Sequence, residues 1–193
     1  MVEGVTQAYR NPSGGPAART EYSAALRIIH WLTALAVFIL VPVAVAMHNL
    51  PDSAFKNALY EVHKSVGIIA FVLVVLRIIV RLAGGAPPPD PSLTPFQRTA
   101  SAIVHGLIYL LLLAMPVLGY AGTNMCCKPV NLFWVWPVPI NLTGSEETVK
   151  TIFAAHYYLG WLLVALVVVH ISAAIYHHRV LKDGVLRRML PQR

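Results

Sequence analysis

The chain has little charge. Of its 193 residues only 12% are Asp, Glu, Lys or Arg, about half the share of a soluble domain. Acidic residues are scarcest, 8 against 15 basic ones, and none falls inside the long apolar runs described below. That placement excludes carboxylate-rich metal cages and paired-carboxylate catalysis within those runs. Cysteine is almost missing too. Cys126 and Cys127 are the two, and they are neighbours, so no disulfide framework is available and both read as interfacial thiols. No C-x-x-C-H occurs, which excludes covalent c-type haem attachment. No internal repeat makes one half a copy of the other.

Apolar sequence is abundant. Hydrophobic residues make up 57% of the chain, and the mean hydropathy is +0.64. Four long apolar runs, at about 27–47, 63–82, 102–120 and 152–176, approach or exceed the roughly 20 residues needed to cross a bilayer as helix. The expected fold is all-α: an integral membrane four-helix bundle spanning residues 26–193, preceded by a polar, Gly-, Pro- and Arg-containing tail over 1–25 that reads as disordered. Pro42 and Pro116 fall inside two spans and are expected to kink or locally unwind them. The connection "GGAPPPDPSLTPFQRT" is too proline-rich for helix and reads as an extended strap. "HNLPDSAFKNALYEV" joins spans one and two. The third connection carries Phe133, Trp134 and Trp136 among prolines, a composition suited to the membrane–water interface. "NLT" at 141–143 matches a glycosylation acceptor, a short motif that also arises by chance.

Charge sets the orientation. The side holding both termini and the second connection has eleven basic and four acidic residues, a net of +7; the opposite side has four of each, a net of zero. The positive-inside rule places both termini in the cytoplasm. The basic residues lie at span ends and form no single basic face, so they imply anionic lipid as a partner and not nucleic acid. "AVA" at 44–46 follows an apolar run, as a signal cleavage site does. That run is long for a signal peptide, however, and cleavage would leave an odd number of spans.

Histidines stand in these spans at two depths. His63 and His156 are near the outer ends of spans two and four. His30, His105 and His170 are near the inner ends of spans one, three and four. His156 and His170 are fourteen residues apart, about 21 Å of helix rise and nearly four whole turns, so both leave the helix on almost the same side. Ionisable groups in a membrane span are costly and mark functional sites. Zinc favours four ligands with thiolate or carboxylate among them, and neither is at hand, which also counts against a histidine-lined metal transporter. Haem needs one imidazole on each face of its iron, and its apolar ring fits between bundle helices. Two axial histidines leave no open position for oxygen, so such a centre suits electron transfer. Arg77, fourteen residues after His63, is placed to pair a haem propionate. His48, His177 and His178 lie at span ends and read as interfacial.

"LRIIHWLTAL", "EVHKSVGIIAFVLVVLRIIVRL", "IYLLLLAMPVLGY" and "AAHYYLGWLLVALVVVHISAAIYH" resemble the four spans of the bacterial cytochrome b561 family, small dihaem membrane cytochromes related to the cytochrome b subunits of nickel-iron hydrogenases. "KPVNLFWVWPVP" and "KDGVLRRMLP" fit as well, so the resemblance runs from about Leu26 to the C-terminus. It implies two haem b groups, with His63 and His156 as axial ligands of the outer iron and His30 and His170 of the inner. Depth alone leaves His105 in competition for the inner iron. The resemblance moves it to a supporting or quinone-side role. It also implies an inner-membrane protein of the respiratory chain that passes electrons between an outer-face reactant and quinone, as an oxidoreductase that takes them from superoxide and reduces ubiquinone. Lys64 and Lys128 would then steer the anion at the outer face. The alternative is a membrane-anchor relay subunit for a separate dehydrogenase or redox partner.

Overall fold

The computed structural model describes residues 21–127, 130–138 and 142–190. Most of the tail, Lys128 and Asn141 therefore lie outside the described residues. Four helices dominate: α1 (Ala24–Asn49), α2 (Ala54–Gly84), α3 (Pro95–Cys126) and α4 (Glu146–Tyr176). All four are long and apolar enough to cross a membrane, and the fold is an all-α integral membrane helix bundle.

Each helix begins on a hydroxyl. Ser23, Ser53, Thr94 and Ser145 accept from the backbone amides of Leu26, Lys56, Gln97 and Thr148, satisfying donors that the first turn leaves unpaired. Thr94 and Gln97 form a reciprocal capping box, with Pro95 as the first helical residue, where its missing N–H costs nothing. The helices run continuously through Pro42 and Pro116. They also outrun the apolar segments. Residues 54–62 are polar enough to read as a connection, yet they form the first turns of α2. Ser53 caps them and Lys56 pairs with Asp52, 3.0 Å away. Hydropathy marks where a helix meets lipid, and capping marks where it starts.

Helix α1 packs on α2, α3 on α4, and α2 on α3. Small or β-branched residues sit at the buried contacts: Ala36, Val37, Ala70 and Val74, with Ser65 fully enclosed. The strap between α2 and α3 is non-helical over residues 85–93, as its prolines require. Asp90 accepts from the Ser92 amide and hydroxyl at 3.0 and 2.7 Å, and these bonds hold its carboxyl below the usual range.

The third connection and the two cysteines also depart from the sequence reading. The third connection folds into an antiparallel hairpin, β1 (Val130–Leu132) and β2 (Trp136–Val138). Phe133 and Trp134 take positive φ, 45° and 64°, at its tip, a conformation that bulky residues rarely adopt. Ser65 Oγ accepts from the Phe133 amide at 2.8 Å and pins the turn to α2. Cys126 and Cys127 are joined by a disulfide and are not separate thiols. Cys127 has left the helical region (φ −126°, ψ −69°), which lets adjacent side chains turn toward each other.

At the opposite end, α4 passes through a wide turn over His177–Leu181, and the chain folds back. Arg27 donates to the Leu190 carbonyl (3.0 Å), Trp31 to Met189 (2.9 Å) and Arg188 to Pro88 (2.8 Å). His177 is buried under this clasp against Asp183 and is not an open interfacial residue. A Cβ on Gly184 would stand 2.9 Å from Asp90 Oδ2, so that carboxylate would have to shift.

Candidate haem-binding site

Two histidine pairs cross between helices, one toward each end of the bundle. At the hairpin end, His63 of α2 faces His156 of α4, with ring centres 6.2 Å apart. At the clasp end, His30 of α1 faces His170 of α4 at 6.3 Å. All four rings are partly buried. A metal–imidazole bond of about 2 Å on each side, plus the radius of each ring, sets two rings on opposite faces of one ion roughly 6 Å apart, centre to centre. Both pairs have that spacing. His105 of α3 stands closer to His170, at 5.0 Å, too near for an ion between the two rings. Among the described residues no group of three or more His, Cys, Asp or Glu side chains converges as a bare metal ion would require. The donor set fits a group that supplies its own equatorial ligands.

His156 is held by contacts that its own segment does not reveal. Its Nδ1 lies 3.1 Å from the Met115 carbonyl of α3. A carbonyl can only accept, so Nδ1 carries the proton and Nε2 keeps a free lone pair, the tautomer a ligating histidine needs. Gly119 makes the approach feasible, because a Cβ there would stand 3.1 Å from the ring. His63 Nδ1 is buried with no hydrogen-bond partner among the described residues.

The clasp end is arranged differently. Arg77 contacts His30 Nδ1. A guanidinium only donates, so neutral His30 carries its proton on Nε2. Arg77 also lies over the Tyr109 ring, 5.6 Å from its centre. Its Nε and the Tyr109 hydroxyl are both buried without partners. An unpaired buried guanidinium nitrogen is costly and fits an anionic carboxylate such as a propionate. His105 leans on Ser101, Nδ1 to Oγ 3.1 Å.

Lys64 is paired with Glu61 one turn back, and the other Glu61 oxygen is buried and unpartnered. Its charge at the hairpin end is thus largely neutralised. The sequence reading passed over Glu61, although its i, i+3 spacing to Lys64 signals the pair. It also passed over Met115, Gly119, Ser65, Ser101 and Tyr109. None of these stands out by residue type or spacing in the sequence.

Comparison with known proteins places this geometry. The family model for prokaryotic cytochrome b561 matches residues 21–192. Cytochrome b561 homolog 2 of Escherichia coli K12 is 34% identical over 163 residues, covering 83% of this chain and 86% of that protein. The probable superoxide oxidase CybB of Yersinia pestis is 29% identical over 168 residues, covering 86% and 93%. Cytochrome b562 of Cereibacter sphaeroides is 26% identical over 170 residues, covering 86% and 92%. With four spans, two cross-helix histidine pairs and a family match along almost its whole described length, the chain belongs to the prokaryotic cytochrome b561 family, multi-pass bacterial membrane proteins that bind b-type haem and transfer electrons.

Proposed function

We propose that the chain holds two haem b groups and carries electrons from superoxide at the hairpin end to ubiquinone in the bilayer. The observation that carries this reading is the pair of near-equal ring separations, 6.2 and 6.3 Å, on the one helix α4. His63 and His156 hold one haem, and His30 and His170 the other. Haem iron supplies a reversible one-electron couple that protein groups tune. Overall, two superoxide anions each give up one electron and leave as dioxygen. One quinone takes up two electrons and two protons and leaves as quinol.

The protein's part is to bind, orient and shield. His156 is fixed in the ligating tautomer by Met115. Arg77 would pair a propionate, and His30 would then need the opposite tautomer, with the proton on Nδ1 and Nε2 free to ligate. His63, His156, His30 and His170 would hold the two irons, and reactants would then exchange electrons without binding the metal. The charge asymmetry along the sequence supports the inner membrane with both termini cytoplasmic, so the hairpin faces outward. The Yersinia relative's name supports superoxide as donor. Rapid mixing of the purified dihaem protein with a superoxide source and a short-chain ubiquinone tests the reading. Quinol should form in step with superoxide loss, and its absence from an intact dihaem preparation would refute the donor–acceptor pair.

The hairpin tip favours a second reading. Val135 and Trp136 are 81% and 72% exposed and could seat a redox protein that uses this chain as a relay to quinone. Stoichiometric co-purification of such a protein, without superoxide-dependent quinol, would favour it.

A further inference from the structure

Cys126 and Cys127 close no loop. Their disulfide joins neighbours in sequence, so it removes almost none of the chain entropy through which longer cross-links stabilise a fold. Its position is more informative. The apolar run of α3 ends near Tyr120, and the helix carries the pair about 9 Å beyond it. Attack by a thiolate needs access to a sulfur, and both cysteines are exposed.

The pair also marks a junction. Cys127 caps α3: its amide donates to the Thr123 carbonyl at 3.1 Å, while its φ and ψ, −126° and −69°, are no longer helical. Shortly after it, β1 begins at Val130, which is buried, and β1 packs on α2 and α3. The hairpin is tied beside both histidines of the hairpin-end pair. Ser65, which takes the Phe133 amide at 2.8 Å, is next but one after His63. Tyr120, whose hydroxyl donates to the Val138 carbonyl at 2.8 Å, follows Gly119, the residue against the His156 ring. The direction the backbone takes at Cys127 therefore bears on how the hairpin sits over that pair.

We propose that Cys126 and Cys127 form a reversible thiol–disulfide exchange site for a dithiol reaching the hairpin side of the membrane, and that its state sets how firmly the hairpin is held against α2 and α3. A thiolate of the dithiol attacks one cystine sulfur. The bond between Cys126 and Cys127 breaks, a mixed disulfide forms, and the released cysteine takes a proton. The second thiol of the donor then attacks the mixed disulfide, frees the other cysteine and leaves as the oxidised donor. Two electrons and two protons pass to the cysteines in all. This exchange needs no haem and stands apart from the electron route proposed above. With the bond gone, Cys127 relaxes toward helical angles. That turns the chain entering β1 and loosens the hydrogen bonds at Phe133 and Val138. Reduction thus opens the hairpin end, and reoxidation closes it.

The test uses the haem-loaded full chain in lipid nanodiscs, with dithiothreitol as the dithiol and N-ethylmaleimide as the thiol probe, read by intact mass. As purified, the protein should take no label; after dithiothreitol it should take one on each cysteine. Hydrogen exchange is then followed peptide by peptide in both states. Reduction should speed exchange across 130–138 about tenfold, as loss of one hydrogen bond would, and leave the middles of α1 and α4 unchanged. The double variant Cys126→Ser, Cys127→Ser should exchange fast at 130–138 with or without dithiothreitol, which separates the cystine from any reduction of haem by the same reagent. Three results would each overturn the proposal: thiols that label as purified and are not joined by oxidised glutathione, a disulfide that dithiothreitol does not reduce, or equal exchange at 130–138 in the oxidised and reduced wild type.

Discussion

His156 of α4 hydrogen-bonds through Nδ1 to the Met115 carbonyl of α3 at 3.1 Å, and the ring lies against Gly119. One helix thus fixes the rotamer and tautomer of a side chain on another, and the pairing of His156 with His63 depends on a position that carries no side chain.

Gly119→Ala tests this arrangement. The new Cβ would stand 3.1 Å from His156 Cε1, so the imidazole must shift and its bond to Met115 weaken. Loss of such an orienting contact typically lowers metal affinity about 10- to 100-fold. Competition with a haem-scavenging apoprotein should therefore strip the hairpin-end haem from the variant first and leave the other in place.

Arg77 makes an opposite demand on His30. Arg77→Gln removes the donor that contacts His30 Nδ1 together with the proposed propionate partner. The clasp-end haem should be retained less well, while hairpin-end haem content is unchanged. Arg77→Lys should restore part of the loss, because it keeps the charge without the planar fork. Haem content per chain, resolved by low-temperature spectra, measures both.

Lys64 and Glu61 are a neutralised pair, and this changes what charge substitutions should do. Glu61→Gln frees Lys64 and should speed superoxide-driven haem reduction severalfold at low salt. Lys64→Gln leaves the Glu61 carboxylate alone and should slow it. Both effects should shrink as salt rises above roughly 0.15 M, where the Debye length falls to about 8 Å. Stopped-flow rates at several ionic strengths decide the matter, and equal rates for all three proteins would remove Lys64 from any steering role.

Topology is open to a direct check. A cytoplasm-active reporter fused after Arg193 should be active, and an exterior-active one inserted at 142–145 should be active as well. The reverse pattern would invert the assignment of hairpin and clasp to the two sides.

Much of the fold could be read in the sequence because a membrane imposes simple rules. Span length follows from bilayer thickness, and the depth of each histidine follows from its place along a span. That made the pairing of His63 with His156 visible before any packing was known. Depth alone left His30 and His105 in competition, since both lie at one depth on different helices; the family resemblance favoured His30, and the ring separations to His170, 6.3 Å for His30 against 5.0 Å for His105, agree with that choice. Helix starts were misplaced where polar residues such as Lys56 and Glu61 continue α2 beyond its apolar stretch. The hairpin at Phe133 and Trp134 was hidden because its turn uses residues that disfavour positive φ, held there by a hydrogen bond from 68 residues away in sequence. Met115, Gly119 and Tyr109 contribute a backbone carbonyl, a missing side chain and one hydroxyl, and none of these stands out in a list of residue types.

The most direct test of the central claim is the haem-to-chain ratio of the purified protein and of four single variants. Two non-covalent b-type haems per chain are expected in the wild type. His63→Ala and His156→Ala should each lose the same haem, and His30→Ala and His170→Ala the other, leaving one per chain in every case, while His105→Ala keeps two. One haem in the wild type, or loss of a haem in His105→Ala but not in His30→Ala, would contradict the account.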